Sequence, residues 1–216
     1  MVRELGKQNS ILNRFLAEMR DTVIQKDSMR FRRNLERVGE IFAYEISKEM
    51  NYETVPVETP LGIADVALPV NKIALAVIIR AGLPLHRGML NYFDTAENAF
   101  IMANRRRAKD NHMSMQVELI SCPSLDRKTL VICEPMLATG ESIYLIYNVL
   151  KKRGTPLHTH IVAPIASRDG VDYIIKNMFP ENITLWVGAI DEELTIKSYI
   201  IPGLGDAGDL AYGSKT

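Results

Sequence analysis

Cysteine is scarce in this sequence, no surplus of positive charge is present, and no apolar run is long. The two cysteines, Cys122 and Cys133, are too few for a disulfide framework or a cysteine-rich zinc site, so we expect buried free thiols. Lysine and arginine number 26 together, as do aspartate and glutamate. This balance argues against general nucleic-acid binding but leaves room for a small anion held by a few local cations.

Membrane and secretion signals are also missing. The longest apolar run, Ile73–Ile79, has the length of a strand rather than that of a membrane span. The first fifteen residues lack the apolar core of a signal peptide. We therefore expect a cytoplasmic protein that makes no membrane contact.

The composition is typical of an ordered globular protein, with 47% apolar and 24% charged residues in a chain of 216. No repeat, low-complexity segment or linker interrupts it. We predict a single domain over residues 1–216, in which residues 1–70 form helices and a hairpin arm and residues 71–216 form the core.

Hydrophobic periodicity predicts an α/β fold with a mostly parallel central sheet flanked by helices. Helical spacing covers Met29–Met50, and two short valine-containing runs then flank Thr59–Gly62, which suggests a β-hairpin. Farther along, strands alternate with helices, as in βαβ units. The predicted strands are Ile73–Ile79, Ala99–Ala103, Met115–Ser121, Thr129–Cys133, His160–Ile165 and Thr184–Ile190, and the predicted helices are Leu83–Tyr92, Ser142–Lys152 and Val171–Met178. Such sheets bind ligands at the carboxyl ends of their strands, so the loops after the first, second, fourth and last strands form the candidate site.

The loop after Cys133 has the composition of a phosphate site. An acid, Glu134, follows the strand, and the short loop Pro135–Gly140 leads into a helix at about Ser142. Backbone N–H groups of small residues and the helix N-terminus can converge on one oxyanion, with hydroxyl donors from Thr139 and Ser142. No Walker pattern is present. The alternative is a plain strand-to-helix connection in which Ser142 is the N-cap.

The segment VICEPMLATGES resembles the phosphoribosyl-pyrophosphate (PRPP) motif of type I phosphoribosyltransferases. Its Pro-Met-Leu-Ala-Thr-Gly form is similar to that of the uracil phosphoribosyltransferase family. The family usually has Asp at Glu134 and a small residue at Glu141. A carboxylate about 4 Å from a phosphate would cost about 4 kcal/mol at an effective dielectric of 20, so we expect Glu141 to face solvent. The resemblance implies that PRPP binds to Glu134, Pro135, Met136, Leu137, Ala138, Thr139, Gly140, Glu141 and Ser142.

The C-terminal segment is rich in glycine. Gly203–Gly208 matches the dinucleotide fingerprint formally, but only eight residues follow, too few for the rest of a βαβ unit. Glycines instead let the backbone approach a flat ligand closely, although the residues alone also fit a surface loop. YIIPGLGDAGD looks like the uracil-binding segment of the same family. This resemblance implies a C-terminal base-binding hood in which Ile200, Gly205, Asp206 and Ala207 contact uracil and Asp206 also lies near PRPP.

Two groups of arginines follow strands. Arg80 ends the first core strand, where it either faces a ligand or forms an ion pair. Arg80-Ala-Gly-Leu is similar to the family's pyrophosphate loop. The run Arg105–Arg107 fits a solvated loop or a nucleic-acid patch, whereas the resemblance implies that Arg105 closes over PRPP. With Asp206, the predicted catalytic residues are Arg80 and Arg105.

A weaker pattern is His158-Thr-His160, which places two imidazoles on one face of a strand. Two histidines without an evident third ligand are a weak metal signal, and the start of a strand at the surface is the favoured interpretation. We predict no protein-held metal.

The resemblance implies transfer of the 5-phosphoribosyl group from PRPP to N1 of uracil, which yields UMP and pyrophosphate. It also implies Mg²⁺ bound mainly through PRPP, a homodimer or higher homo-oligomer, and GTP as an allosteric activator. Two alternatives stay open. One is a regulator of the same fold that binds nucleotide or RNA, and the other is a transferase for another base, such as a purine or xanthine.

Overall fold

The computed structural model describes residues 1–107, 113–179 and 181–214. Side chains are described for all of these residues except 104–107 and 113–116. The strands are Val2–Glu4 (β1), Tyr52–Thr59 (β2), Gly62–Pro69 (β3), Ile73–Ile79 (β4), Glu97–Arg107 (β5), Met113–Ser121 (β6), Thr129–Cys133 (β7), Met136–Leu137 (β8), His158–Ser167 (β9), Ile183–Asp191 (β10), Glu193–Leu194 (β11) and Ile200–Ile201 (β12). The α-helices are Ile11–Arg20 (α1), Ser28–Ser47 (α2), Leu83–Tyr92 (α3), Glu141–Leu150 (α4), Arg168–Met178 (α5) and Ala207–Tyr212 (α6).

A central sheet with the order β1-β10-β9-β7-β4-β5-β6 forms the body of the protein. Its strands pair in parallel except β6, which runs antiparallel to β5. Every side chain of β7 is buried, because apolar clusters cover both faces of the sheet. The predicted α/β class with a mostly parallel sheet is confirmed.

The strongest apolar patterns gave accurate boundaries. The predicted and observed limits coincide for β4, β7 and α3. The long helix is shorter than predicted: Asp27 caps α2 by accepting a hydrogen bond from Arg30 N, and the helix ends at Ser47. The helix α1 had no predicted bounds, although Leu12, Leu16 and Met19 recur at helical spacing on its buried face. It begins after Ser10, whose hydroxyl accepts from Leu12 N.

The predicted hairpin is present and stands apart from the central sheet. Strands β2 and β3 form their own two-stranded antiparallel sheet. Several apolar side chains on it are exposed, including Leu61 and Ile63. The division of the chain into an N-terminal arm and a core stays a prediction.

Both cysteines are free, as predicted, although Cys122 is only half-buried while Cys133 is fully buried. Burial raises the pKa of the Cys133 thiol, which keeps it protonated and unreactive at neutral pH. Within the described part of the chain, none of the helices is long and apolar enough to cross a membrane.

The prediction of a surface position for the two histidines is wrong for His160. Their rings do share one face, with centroids 4.5 Å apart, but His160 is only 3% exposed. Its Nδ1 accepts a hydrogen bond of 2.9 Å from Trp186 Nε1, so the imidazole is neutral with the proton on Nε2. Burial, helped by the charge of His158, lowers the pKa of His160 to about 3.

This buried histidine makes stability depend on pH. Since the unfolded ring titrates near 6.5, the unfolded chain binds the extra proton between about pH 6.5 and 3, and stability falls as the pH drops through that window. Between pH 7 and 5 the expected loss is about 2 kcal/mol. The variant His160→Asn keeps an acceptor for Trp186 and should lose less over the same interval in urea unfolding. Equal losses in both proteins would refute the assignment.

Candidate active site

A cavity of about 540 Å³ opens at the carboxyl ends of the central strands. Residues of three segments distant in sequence line it, namely 78–81, 134–140 with 142–143, and 198–199 with 205–208, and Ala103 of β5 completes the wall. These are the segments that the sequence singled out. The cavity is large enough for a small ligand, and it brings the predicted phosphate, pyrophosphate and base segments together.

The predicted phosphate loop leads into an open helix N-terminus. Gly140 is the N-cap of α4 in a left-handed conformation (φ 79°), and it has no side chain to accept from the first-turn N–H groups. The alternative with Ser142 as N-cap is therefore wrong, since Ser142 lies inside the first turn and lines the cavity. The free N–H groups and the helix dipole favour an anion here.

The loop is more ordered than the sequence suggested. Met136 and Leu137 form β8, which pairs with Ile165 and Ala166 of β9. The main chain of Glu134 also donates to Val162 O at 3.1 Å. These bonds tie the first half of the loop to the sheet, and both halves line the cavity.

Helix α5 supports the cradle from behind. Ser167 caps this helix by accepting from Gly170 N at 2.9 Å, and its hydroxyl donates to Ala138 O. Gly170 packs against the loop so closely that a Cβ there would lie 2.4 Å from Ala138 O. Sequence reasoning missed both residues, although a serine directly after a buried strand is a usual N-cap signal.

The two glutamates of the motif differ in setting. Glu141 is exposed and lies outside the cavity lining, which confirms the expectation that it faces solvent. Glu134 is half-buried and lines the cavity where the strand ends. The PRPP roles predicted for Glu134, Pro135, Met136, Leu137, Ala138, Thr139, Gly140, Glu141 and Ser142 stay predictions.

Arg80 lies at the edge of the cavity directly after β4. Its Nη2 donates to Gly213 O at 3.0 Å and lies 3.6 Å from Asp209 Oδ1. Its Nε atom is buried and has no hydrogen-bond partner among the described residues. Arg80 thus forms a loose ion pair while it lines the cavity, and its role in binding pyrophosphate stays a prediction.

The C-terminal segment forms the opposite wall. Gly205, Asp206 and Ala207 line the cavity, and Asp206 caps α6 by accepting from Asp209 N at 2.9 Å. Ile200 is 4% exposed, and its side chain belongs to the apolar core. If Ile200 contacts uracil as predicted, it must do so through its main chain. The short helix after the glycines agrees with rejection of a dinucleotide fold.

The predicted role of Arg105 falls on a side chain outside the described residues. Its main chain belongs to β5, and the segment 108–112 that follows also lies outside the description. Within the described part of the chain, no group of three or more His, Cys, Asp or Glu side chains could hold a metal ion.

Solved structures share this fold. The fold matches a hypoxanthine phosphoribosyltransferase from Staphylococcus aureus with a TM-score of 0.50 at 12% identity, covering 74% of each chain. It matches the AQ2163 protein from Aquifex aeolicus more completely, with a TM-score of 0.87 at 29% identity over 99% of this chain and 98% of the other. These likenesses show a shared fold, with the cavity of this chain at the carboxyl edge of the parallel sheet.

Sequence comparison gives the class of protein, a phosphoribosyltransferase, and then the family within that class. The family model for uracil phosphoribosyltransferase matches residues 7–214. A uracil phosphoribosyltransferase from Porphyromonas gingivalis strain W83 is 52% identical over 214 residues, 99% of each chain. One from Methanothermobacter thermautotrophicus is 38% identical over 87% of this chain and 85% of its own. The chain belongs to the uracil phosphoribosyltransferase family.

Proposed function

We propose that this enzyme transfers the 5-phosphoribosyl group of PRPP to N1 of uracil and releases UMP and pyrophosphate. The observation that supports this most is the single cavity shared by the 134–142 loop, Arg80 and the 205–208 main chain. Each wall suits one part of the reactants. The uracil phosphoribosyltransferase from Porphyromonas gingivalis, at 52% identity, supports the choice of base.

The 5′-phosphate binds in the cradle before α4. Main-chain N–H groups of residues 138–142 surround it, and the hydroxyls of Thr139 and Ser142 add donors. Glu134, at the end of β7, accepts hydrogen bonds from the ribose hydroxyls. Because β8 and α5 fix this loop before substrate arrives, the protein orders little on binding, and the ribose is held for attack.

The pyrophosphate leaves toward Arg80. The guanidinium of Arg80 carries a permanent charge, and its buried Nε has no hydrogen-bond partner among the described residues. Mg²⁺ fits this cavity, because Glu134 and Asp206 offer carboxylates and the ion usually completes its shell with water and substrate phosphates. When bound, it would add positive charge against the pyrophosphate. Arg80 stabilises the negative charge that develops on the leaving oxygen.

Uracil lies on the glycine-rich wall. The base presents the same donor and acceptor types as a peptide, so the main chain of residues 205–207 can read it. N1 attacks C1 of the ribose with inversion while the C1–O bond breaks, and the electron pair of that bond stays on pyrophosphate. The N1 proton must leave, and Asp206 is the carboxylate of this wall that can accept it.

Formation of UMP from labelled uracil, PRPP and Mg²⁺ tests the function directly. We expect UMP and pyrophosphate in equal amounts. A protein that binds UMP or RNA but forms no UMP would instead be the regulator. The second alternative, a transferase for another base, is tested by offering uracil, hypoxanthine and xanthine in competition. Use of a purine in preference to uracil would support that alternative.

The cytoplasm is the expected location, and a homo-oligomer the expected state. The hairpin of β2 and β3, with Leu61 and Ile63 exposed, gives a second copy of this chain apolar surface to pack on. GTP activation remains an expectation from the resemblance. Light scattering with and without GTP tests the oligomeric state, and a monomer in both conditions would contradict it.

Asp206 should matter more for turnover than for folding. In Asp206→Asn the amide oxygen can still cap α6, since Asn is as good an N-cap as Asp, so the melting temperature should barely change. Loss of the carboxylate should lower kcat about 100-fold. Stopped assays of UMP formation measure the effect, and an unchanged kcat would remove Asp206 from the chemistry.

A further inference from the structure

Two residues outside the cavity lining form hydrogen bonds with the main chain of the base wall. Arg20 is the last residue of α1, and Asp191 is the last residue of β10. Their side chains form a two-pronged ion pair, with Nη1 to Oδ2 at 2.7 Å and Nη2 to Oδ1 at 2.8 Å. Asp191 is buried and the Arg20 side chain is 23% exposed, so water screens the pair little.

The same pair grips the main chain of Gly203 from both sides. Arg20 Nη1 donates to Gly203 O at 2.8 Å, and Asp191 Oδ2 accepts from Gly203 N at 2.9 Å. Both main-chain polar groups of one residue therefore end on the ion pair. Gly203 lies two positions before Gly205, the first of the residues 205–208 that line the cavity.

The hydrogen bonds to Gly203 attach the loop to rigid parts of the fold. Asp191 ends a central strand, and α1 is fixed on α2 by buried Glu18, which accepts from Arg30 and Asn34. The hydrogen bonds from Arg30, followed by that from Asn34, lower the pKa of Glu18 to about 2, so this anchor stays charged at neutral pH. A displacement of Gly203 would require the strand or the helix to move as well.

We propose that Arg20 and Asp191 are positioning residues for the base, which set the main chain of residues 203–207 where it can read uracil. This inference rests on the proposed function. Main-chain recognition needs donors and acceptors held within about 0.5 Å, and a glycine-rich loop cannot hold that geometry alone. The side-chain hydrogen bonds of Arg20 and Asp191 among the described residues run to each other and to Gly203, and not to the 134–142 loop, so the effect should fall more on uracil binding than on PRPP binding.

Steady-state kinetics separate positioning from general damage. In Arg20→Gln we expect the KM for uracil to rise at least about 10-fold while the KM for PRPP changes less than about 3-fold. Arg20→Lys restores one charged donor and should recover part of the uracil KM. Ala17→Gln, at an exposed position of the same helix, is the matched control and should leave both constants unchanged.

Hydrogen exchange tests, without any substrate, whether the ion pair of Arg20 and Asp191 holds the main chain of Gly203 in place. The amides of residues 199–206 should exchange faster in Arg20→Gln and in Asp191→Asn than in the wild type, with the 134–142 loop unchanged. If Arg20→Gln does not fold, Asp191→Asn, which keeps one acceptor for Gly203 N, carries both measurements. A wild type that forms no UMP would refute the proposed function. Amide hydrogen exchange would still show whether Arg20 and Asp191 hold residues 199–206 in place. Equal rises in both KM values, an unchanged uracil KM or unchanged exchange would each overturn the proposal.

Discussion

Arg80→Ala should lower kcat/KM for PRPP by about 100- to 1,000-fold. The substitution removes planar, charged donors at the edge of the cavity, where the proposed function places the developing charge of pyrophosphate. Most of the effect should appear in kcat, because the charge on the leaving oxygen grows toward the transition state. Initial rates of pyrophosphate release at several PRPP concentrations measure it.

The control for this change is Arg87→Ala. Arg87 is an arginine of α3 with its side chain 75% exposed, and it lies outside the cavity lining. Its removal should leave kcat/KM within about 2-fold, because this side chain is exposed and lies outside the cavity. Arg80→Lys keeps charge but loses the planar fork, so it should fall between Ala and the wild type. Near-normal rates in Arg80→Ala would contradict the pyrophosphate assignment.

Gly170→Ala should weaken PRPP binding at least about 10-fold, although Gly170 does not line the cavity. The added Cβ would lie 2.4 Å from Ala138 O and 2.8 Å from Leu137 O, so the cradle must shift. Alanine is the better helix former, hence α5 itself should not suffer. Overpacking of this kind costs about 1–3 kcal/mol, which thermal unfolding will show together with the higher KM for PRPP.

A matched substitution on the same helix isolates the cradle. Asp172 is exposed on α5, and Asp172→Ala should leave both the PRPP KM and the stability within error. If Gly170→Ala binds PRPP as well as the wild type, the main-chain cradle does not bind the phosphate in the way proposed.

Much of the fold was readable from sequence because the central strands are continuous apolar runs. Ile73–Ile79 and Thr129–Cys133 could be placed to the residue, since both are covered on both faces and bounded by polar residues. The order of strands across the sheet was not predicted, because a hydrophobic run does not specify its neighbour.

The site could be predicted where its function depends on local backbone shape. Glycine and small residues before a helix mark a phosphate cradle, and the cavity confirms that the 134–142 loop and the glycine-rich segment face each other. Glu141 could be directed to solvent by electrostatics alone. The core position of the Ile200 side chain was not predicted, since an isoleucine in a glycine-rich loop gives no periodic signal.

Long-range polar contacts were beyond the sequence. Arg20 and Asp191 are separated by 171 positions, and nothing local to either residue marks it as a partner. Ser167 supports Ala138 across 29 positions, and the burial of His160 depends on Trp186 of the neighbouring strand. Each of these pairings follows from strand order, which has to be known first.

A crystal structure of the enzyme with UMP tests the central claim most directly. The account predicts that the 5′-phosphate lies within hydrogen-bond distance of the main-chain N–H groups of residues 138–142, with the uracil ring on the main chain of residues 205–207. A nucleotide bound elsewhere, or with its phosphate held only by side chains outside this loop, would contradict it.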